Sequence, residues 1–584
     1  MNRPPPRRPV TSQRRPPAGG GPLRDPRLLA IGGGGLLLLI VLAVLFLGPC
    51  SILNPSDDGD ETLFNCPTLD NPPAPPDGLE IASDFKDFSD DQCNRMIPEG
   101  VAKISMPVEQ GRAGRGLLFY TYQDESWQRL ATPELTEDGK YAEVVVDQVP
   151  ANGVVLRRAA DTFQVMGTVL QGQALHPEAE RIATIVGGLD FVPAPDGTIN
   201  GNVTNLRRSD TALLVPVVSA ADGDAAQAVN TFVAQGDRRS AHAANIAQLV
   251  QSNRLDGIEL AYTAVDPARR SDFTDLVRQV SAAVHQNGGV LVLTLPLPAR
   301  EGNDWNSGAY DWAELSGLAD YLKIAPTLDQ SIYRRVVPEA LTYLVGQVDP
   351  KKLILTISSL SVEKSDQGLR TMSTLEALSI ASQFTIRDRE TAATNSNITI
   401  TADNLTQGGG GAGGLNWDAI AATVSFSYQQ ENAPRTIWIE NQFSAAFKAE
   451  YVQLWELGGI SVDDASNNQG LSSVWPPIVQ LQQDEALTLL QPNSSMLRPA
   501  WLIDNRAYQA GQPTITWDTT GLEPGQHAVT LVVSDGVMLV QNTQRLTLRA
   551  GTASSATGTA TPTGTGTATG TGTPTRTATA TPVR

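Results

Sequence analysis

The chain has 584 residues, more than one hydrophobic core usually organises, so several folded units are expected. Its formal charge is −19, and seven Arg against Asp25 alone in the first 29 residues leave about −25 on the remainder. That balance excludes nucleic acid as a partner and disfavours bare anionic polymers, while neutral or amidated glycans stay open.

Taken in chain order, residues 1–27 are rich in Pro and Arg with almost nothing apolar to bury, and they read as a disordered cytoplasmic tail. Residues 28–48 carry no charge, and at 1.5 Å per residue their length of about 31 Å matches the hydrocarbon core of a bilayer. Arg3, Arg7, Arg8, Arg14, Arg15, Arg24 and Arg27 precede this segment and Asp57, Asp58, Asp60 and Glu61 follow it. One transmembrane helix with the N-terminus in the cytoplasm and the bulk of the chain outside is therefore predicted, with the bilayer as the first partner. Residues 49–99 read as a linker.

Cys50, Cys66 and Cys93 are too few and too scattered for a thiolate zinc site, and nothing in the sequence calls for a metal or a cofactor. Cys66 and Cys93 fall outside the membrane by this topology, where they are candidates for a disulfide closing a loop of about 27 residues. Two unpaired thiols are the alternative.

GLLFYTY, WQRL, KYAEVVV and GVVLRR, separated by turn formers, predict a small β domain at 100–160. From 163 to 484 apolar strand-like runs alternate with helical stretches: FQVMGTVL, IVGGLDFV, ALLVPVVS, GIELAY, VLVLTLPL, DYLKIAP, KLILTISS and GGISV. Eight such strands predict an α/β fold, a (β/α)8 TIM barrel. In the stretch that starts at Asp272, Phe273, Leu276, Val277, Val280 and Val284 recur at helical spacing and define the face that packs on the strands. His285 lies in the last turn of that helix and His242 in an earlier one, and both read as structural.

An excursion at about 365–434 contains a Gly-rich run that reads as a mobile loop able to lid one face of the barrel. Residues 485–550 show alternating strands around GLEPG and SDG and predict a small immunoglobulin-like sandwich, so that the barrel is flanked by small all-β domains. The Thr, Gly and Pro-rich stretch 551–584 has nothing to form a core and reads as a disordered tail.

LDGIELAYT, residues 255–263, resembles the strand-four signature D-G-x-D-x-D-x-E of family 18 glycoside hydrolases, which include chitinases and spore-cortex peptidoglycan hydrolases. The runs RRSAHAANIAQLVQSNRLDGIEL, YDWAELSGLADYLKIAPTLD, VDPKKLILTISS and IWIENQFSAAFKAEYVQLWELGGISV follow in that family's order over about 320 residues. The resemblance implies a glycosidase in which the last Glu of the signature protonates the glycosidic oxygen while the substrate's acetamido group attacks the sugar carbon, so that the ligand contains N-acetylglucosamine. Asp256 matches the first Asp, Glu259 replaces the second, Ala261 stands at the third and Thr263 at the acid.

A threonine hydroxyl does not deliver a proton as a tuned carboxylic acid does, and that help is worth about 10²- to 10⁴-fold. IAPTLD at Ile324 also replaces the family's Met-x-Tyr-Asp, and Asp463 stands where a platform Trp closes strand eight. The expectation is a pseudoenzyme that binds a peptidoglycan- or chitin-like glycan or positions envelope proteins, with a hydrolase using a relocated acid and a purely structural surface protein as alternatives. Candidate binding residues are Glu259, Asp329 and Asp463, with Asp464 beside them, and the aromatics Tyr262, Trp305, Trp312 and Trp417, with Tyr310. Solvated carboxylates and core aromatics are the bland readings of the same residues.

Overall fold

The computed structural model describes residues 66–69, 72–76, 79–89, 102–108, 117–136, 139–158, 162–406 and 414–551. The tail at 1–27, the segment at 28–48, Cys50, Cys93, the Gly-rich run at 407–413 and residues 552–584 lie outside them. No helix among the described residues is long and apolar enough to cross a membrane.

The described residues fall into two compact units. The smaller, within residues 66–156, is all β. Ala102–Pro107, Tyr141–Val146 and Glu134–Leu135 form one sheet, and Leu117–Gln123 lies between Ser126–Ala131 and the strand at 152–158 in another. Its core joins Ile104, Met106, Leu117, Phe119, Val144 and Val155 to Cys66, Ala82 and Phe88. The stretch read as linker thus contributes to this core through Cys66, Ala82 and Phe88, and Phe85 is buried as well. Cys66 is disulfide-bonded.

The larger unit, mainly residues 157–551, is built on a closed parallel barrel. Its eight strands are Gln164–Leu170, Ile185–Pro193, Val217–Ser219, Gly257–Ala261, Val290–Leu295, Tyr321–Ile324, Leu353–Ile357 and Gly459–Val462. The first strand pairs with both the second and the eighth, which closes the cylinder. All eight runs named from the sequence are barrel strands.

Parity sorts the side chains. Ile258, Leu260, Leu293, Leu322, Ile324, Leu355, Ile460 and Val462 point outward into the core shared with the helices, each contributing about 1.5–3 kcal/mol by burial. Glu259, Thr294, Lys323, Thr356 and Ser461 alternate with them and point inward. The helix Arg270–Gln286 buries Phe273, Leu276, Val277, Val280 and Val284, as its spacing predicts. Gly257 admits no side chain, since a Cβ there would stand 2.1 Å from the Val290 carbonyl oxygen on strand five.

The excursion after strand seven is folded. Gly368–Met372, Ser361–Ser365, Ala433–Ile439, Thr423–Gln430 and Asn416–Asp418 make an antiparallel sheet in that order. The C-terminal strands do not close a sandwich on their own. Arg506–Ala510, Ala500–Ile503, Gly525–Ser534 and Leu539–Leu548 form one sheet, while Thr514–Asp518 pairs with Asn397–Ala402 of the excursion. Excursion and C-terminal strands therefore share one core around Phe384, Ile398, Ile400, Phe426, Trp501, Ile515 and Trp517. The expectation of a self-contained immunoglobulin-like sandwich at 485–550 gives way to this joint module, while the Gly-rich run read as a lid lies outside the described residues. The alternation in NITITA marks a strand, but nothing local to it marks the partner.

Asp535, fully buried, fastens the module to the barrel. It accepts from Asn441 Nδ2 at 3.1 Å and from Ser472 Oγ at 2.8 Å, and its Oδ1 holds the amides of Val537 and Met538. Asn441 caps the helix Gln442–Leu454 that leads into strand eight.

Candidate functional site at the barrel mouth

Strand four carries the signature residues from one end of the barrel to the other. Asp256 precedes the strand, at the end opposite the mouth, where its Oδ2 accepts from the Leu214 amide at 2.7 Å. Glu259 lies mid-strand inside the barrel, Ala261 ends the strand, and Thr263 stands half-buried in the turn beyond. Asp256 is thus part of the floor, and only the last two positions reach the mouth.

Glu259 is committed. Lys323 Nζ of strand six lies 3.0 and 3.2 Å from its two carboxylate oxygens, and Thr294 Oγ1 donates to it at 2.6 Å. Lys323 also donates to Thr168 Oγ1 of strand one at 3.0 Å. The four groups cross-link strands one, four, five and six through the axis, and both charged side chains are less than a tenth exposed. The sequence reading passed over Lys323, although a lysine inside the apolar run YLKI is a visible signal that the barrel axis holds a counter-charge.

The remaining carboxylates do not gather above the barrel. Asp329 caps the turn Gln330–Ile332, accepts from Ser331 and pairs with Lys364 Nζ at 2.8 Å. Partial burial works against its ionisation, but Lys364 and Ser331 outweigh that and hold the carboxyl below its ordinary range. Asp464 is buried and accepts from the Ser466 amide at 3.0 Å. Asp463 follows strand eight, half-buried, with Oδ1 taking the Ser359 amide at 3.2 Å, and burial pushes it up to about 6. Among the described residues no three His, Cys, Asp or Glu side chains lie close enough together to hold a metal.

A second buried ion pair was also missed. Lys448 on the helix Gln442–Leu454 pairs with Glu440, donates to Gln330 Oε1 at 2.8 Å and lies 4.6 Å from the centre of the Tyr333 ring. Burial lowers the lysine's pKa against the pull of Glu440.

The candidate aromatics belong to the scaffold. Tyr262 faces outward, 1% exposed, because Glu259 and Ala261 take the inward parity. Tyr310 donates its hydroxyl to the Tyr262 carbonyl at 2.8 Å and is buried. Trp312 is buried at the start of the helix Trp312–Leu318. Trp305 stacks on Tyr343 at 4.7 Å with 13° between the planes, and Trp417 packs against Phe447 at 5.4 Å. These contacts make structural anchors of residues expected as sugar platforms.

Residues 207–467 match the family model for glycosyl hydrolases family 18. The larger unit carries a family 18-like TIM barrel. The matched stretch runs from strand three through strand eight and includes the excursion. None of the curated proteins matches the chain. Among solved structures, a chitinase from Chromobacterium violaceum is 19% identical, with 56% of this chain and 100% of that chain covered and a TM-score of 0.42. The spore cortex-lytic enzyme SleL of Bacillus megaterium is 14% identical, covering 62% of this chain and 80% of its own, with a TM-score of 0.42. A class V chitinase from Pseudomonas fluorescens is 16% identical, with 55% and 99% covered and a TM-score of 0.41. Likenesses of that size carry no argument about activity. In the stretch that resembles the family 18 signature, the barrel holds Thr263 at the mouth and the Glu259–Lys323 ion pair inside.

Behind strand four, His242 makes the site's support pH-sensitive. The Gly197 carbonyl at 2.8 Å only accepts, so Nδ1 carries the proton and Nε2 accepts from the Tyr262 hydroxyl at 2.7 Å. Burial pushes this imidazole from 6.5 down to about 4. Because the folded value is depressed, its contribution is fully present above pH 6.5 and is lost as pH falls towards 4, by up to roughly 3 kcal/mol. Urea denaturation of the His242→Gln variant is expected to show a shallower loss of stability than wild type across that window. Parallel curves for the two proteins would rule the histidine out as the cause.

Proposed function

We propose that the family 18-like barrel binds a glycan of the N-acetylhexosamine class without cleaving it, on an extracytoplasmic, membrane-anchored chain. The single observation that carries this reading is Thr263 at the position of the proton donor, with no carboxylate in its place. Glu259 offers no substitute, since Lys323 and Thr294 occupy its oxygens inside the barrel. The match to the family 18 model supports a glycan as the ligand class. The disulfide at Cys66 supports an oxidising compartment, and the uncharged run at 28–48 with arginines before it and carboxylates after it supports the anchor and its direction. Scaffolding of envelope proteins by a barrel that binds no glycan is the structural variant of the same idea.

The test is turnover and binding on the same preparation. Chitin oligomers and peptidoglycan fragments are expected to be retained in a binding assay and to release no sugar, as if lacking the roughly 10²- to 10⁴-fold contributed by a general acid. One observation favours the second reading, a hydrolase with a relocated acid: Asp463 lies at the mouth and is pushed up to about 6, the range of a working acid. That reading requires sugar release that disappears in Asp463→Asn, and such a result would replace the binding-only proposal.

A further inference from the structure

Strand eight ends on a carboxylate, Asp463, whose nearest acting cation among the described residues, the buried Lys448, attracts it through space without pairing with it. Among the described residues no lysine, arginine or histidine pairs with Asp463. The ammonium groups of this end of the barrel are committed elsewhere: Lys323 to Glu259, Lys364 to Asp329 and Lys448 to Glu440. Asp463 receives the Ser359 and Asp464 amides and the Ser358 hydroxyl, and the neighbouring Asp464 side chain adds like charge. A half-buried anion in that position is under-compensated.

Beneath it the barrel offers further acceptors. Ser461 lies two residues back on the same inward face, and Thr356 stands opposite it in register on strand seven. The two are 0% and 2% exposed, and neither hydroxyl has a hydrogen-bond partner among the described residues. Buried hydroxyls are seldom left so, and both face the axis below the carboxylate.

An apolar step lies alongside. Thr168 points into the barrel to meet Lys323 and Val169 belongs to the outer core, so Leu170 returns to the inner face where strand one ends. Leu189 pairs with it in register on strand two, and the two are 47% and 39% exposed. Strand one is hydrogen-bonded to strand eight, which brings this step next to the Asp463 end of the mouth.

We propose that the mouth receives a hexosamine unit whose amine is free, with the ammonium on Asp463 and the ring's C–H face on Leu170 and Leu189. The inference rests on the glycan-binding reading of the same site and narrows it to chains that are at least partly de-N-acetylated. An ammonium has three donors and a positive charge, which suit a carboxylate with hydroxyl acceptors below it. An acetamido group brings neither the charge nor the three donors and leaves the carboxylate desolvated against a neutral group.

Titration calorimetry of the full-length protein in neutral buffer, above the value of about 6 to which Asp463 is raised, with glucosamine pentamer and N-acetylglucosamine pentamer as probes, tests this. The glucosamine pentamer is expected to bind about tenfold or more tightly. Asp463→Asn should remove that preference and Asp463→Glu should keep most of it. Ser461→Ala, a milder change, should reduce it. Asp484→Asn, which removes an exposed carboxylate elsewhere, should leave it intact and so exclude general attraction to an acidic surface. Equal binding of the two pentamers, tighter binding of the acetylated one, or a preference that survives in Asp463→Asn overturns the inference while glycan binding stands. Binding of neither pentamer overturns the glycan reading itself.

Discussion

Replacing Lys323 by methionine should lower the free energy of unfolding by about 3–5 kcal/mol in urea denaturation, because it leaves the Glu259 carboxylate inside the barrel with no counter-charge. Methionine nearly preserves the volume, so the loss measures the charge rather than a cavity. The variant should regain stability as pH falls, since a carboxyl stranded in an apolar interior is stable only when protonated. The double variant Glu259→Gln with Lys323→Met should recover most of the loss, because no charge remains to be compensated. A single variant within about 1 kcal/mol of wild type, or a double variant less stable than the single, would show that the pair does not hold the axis together.

Ending the chain at Leu490 should unfold the excursion as well as remove the C-terminal strands. The strand Asn397–Ala402 would lose its partner Thr514–Asp518, and Phe384, Ile398 and Ile400 would lose Trp501, Ile515 and Trp517 from their shared core. Asn441 and Ser472 would lose Asp535. The single substitution Trp501→Ala reports on the same core. That ring is fully buried, meets Phe384 edge-on at 5.4 Å and donates from Nε1 to the Gln512 carbonyl at 2.9 Å, so its removal should cost about 3–5 kcal/mol. Proteolysis of the shortened chain should cut first between residues 384 and 439. A shortened chain that melts as cooperatively as the whole, and resists protease there, would mean that the excursion folds without the C-terminal strands.

The parts of this fold legible in the sequence share one property: their signal is local. Each barrel strand is a short apolar run bounded by turn formers, and the helix Arg270–Gln286 repeats its buried residues every three to four positions. Tyr262 was open to the same logic, since Glu259 and Ala261, two positions apart, form the strand's inward series and leave Tyr262 on the outer face; reading its chemistry before its parity made it a sugar platform. Trp305 and Trp417 carried no such clue, because their partners Tyr343 and Phe447 come from helices elsewhere in the chain. The excursion was misread because glycines at 407–413 outweighed the alternation of 397–402, whose partner strand lies more than a hundred residues on.

The sequence by itself determined the eight-stranded barrel, the charge of the chain and the threonine at position 263, since composition, periodicity and identity at a position need no knowledge of distant residues. Only the tertiary structure decided that Glu259 is bound to Lys323, that Asp463 has no ion-pair partner among the described residues and that the C-terminal strands complete the excursion. Those outcomes depend on which side chains meet across the barrel axis and between sheets, where a charge's environment is set by neighbours many residues away in the chain.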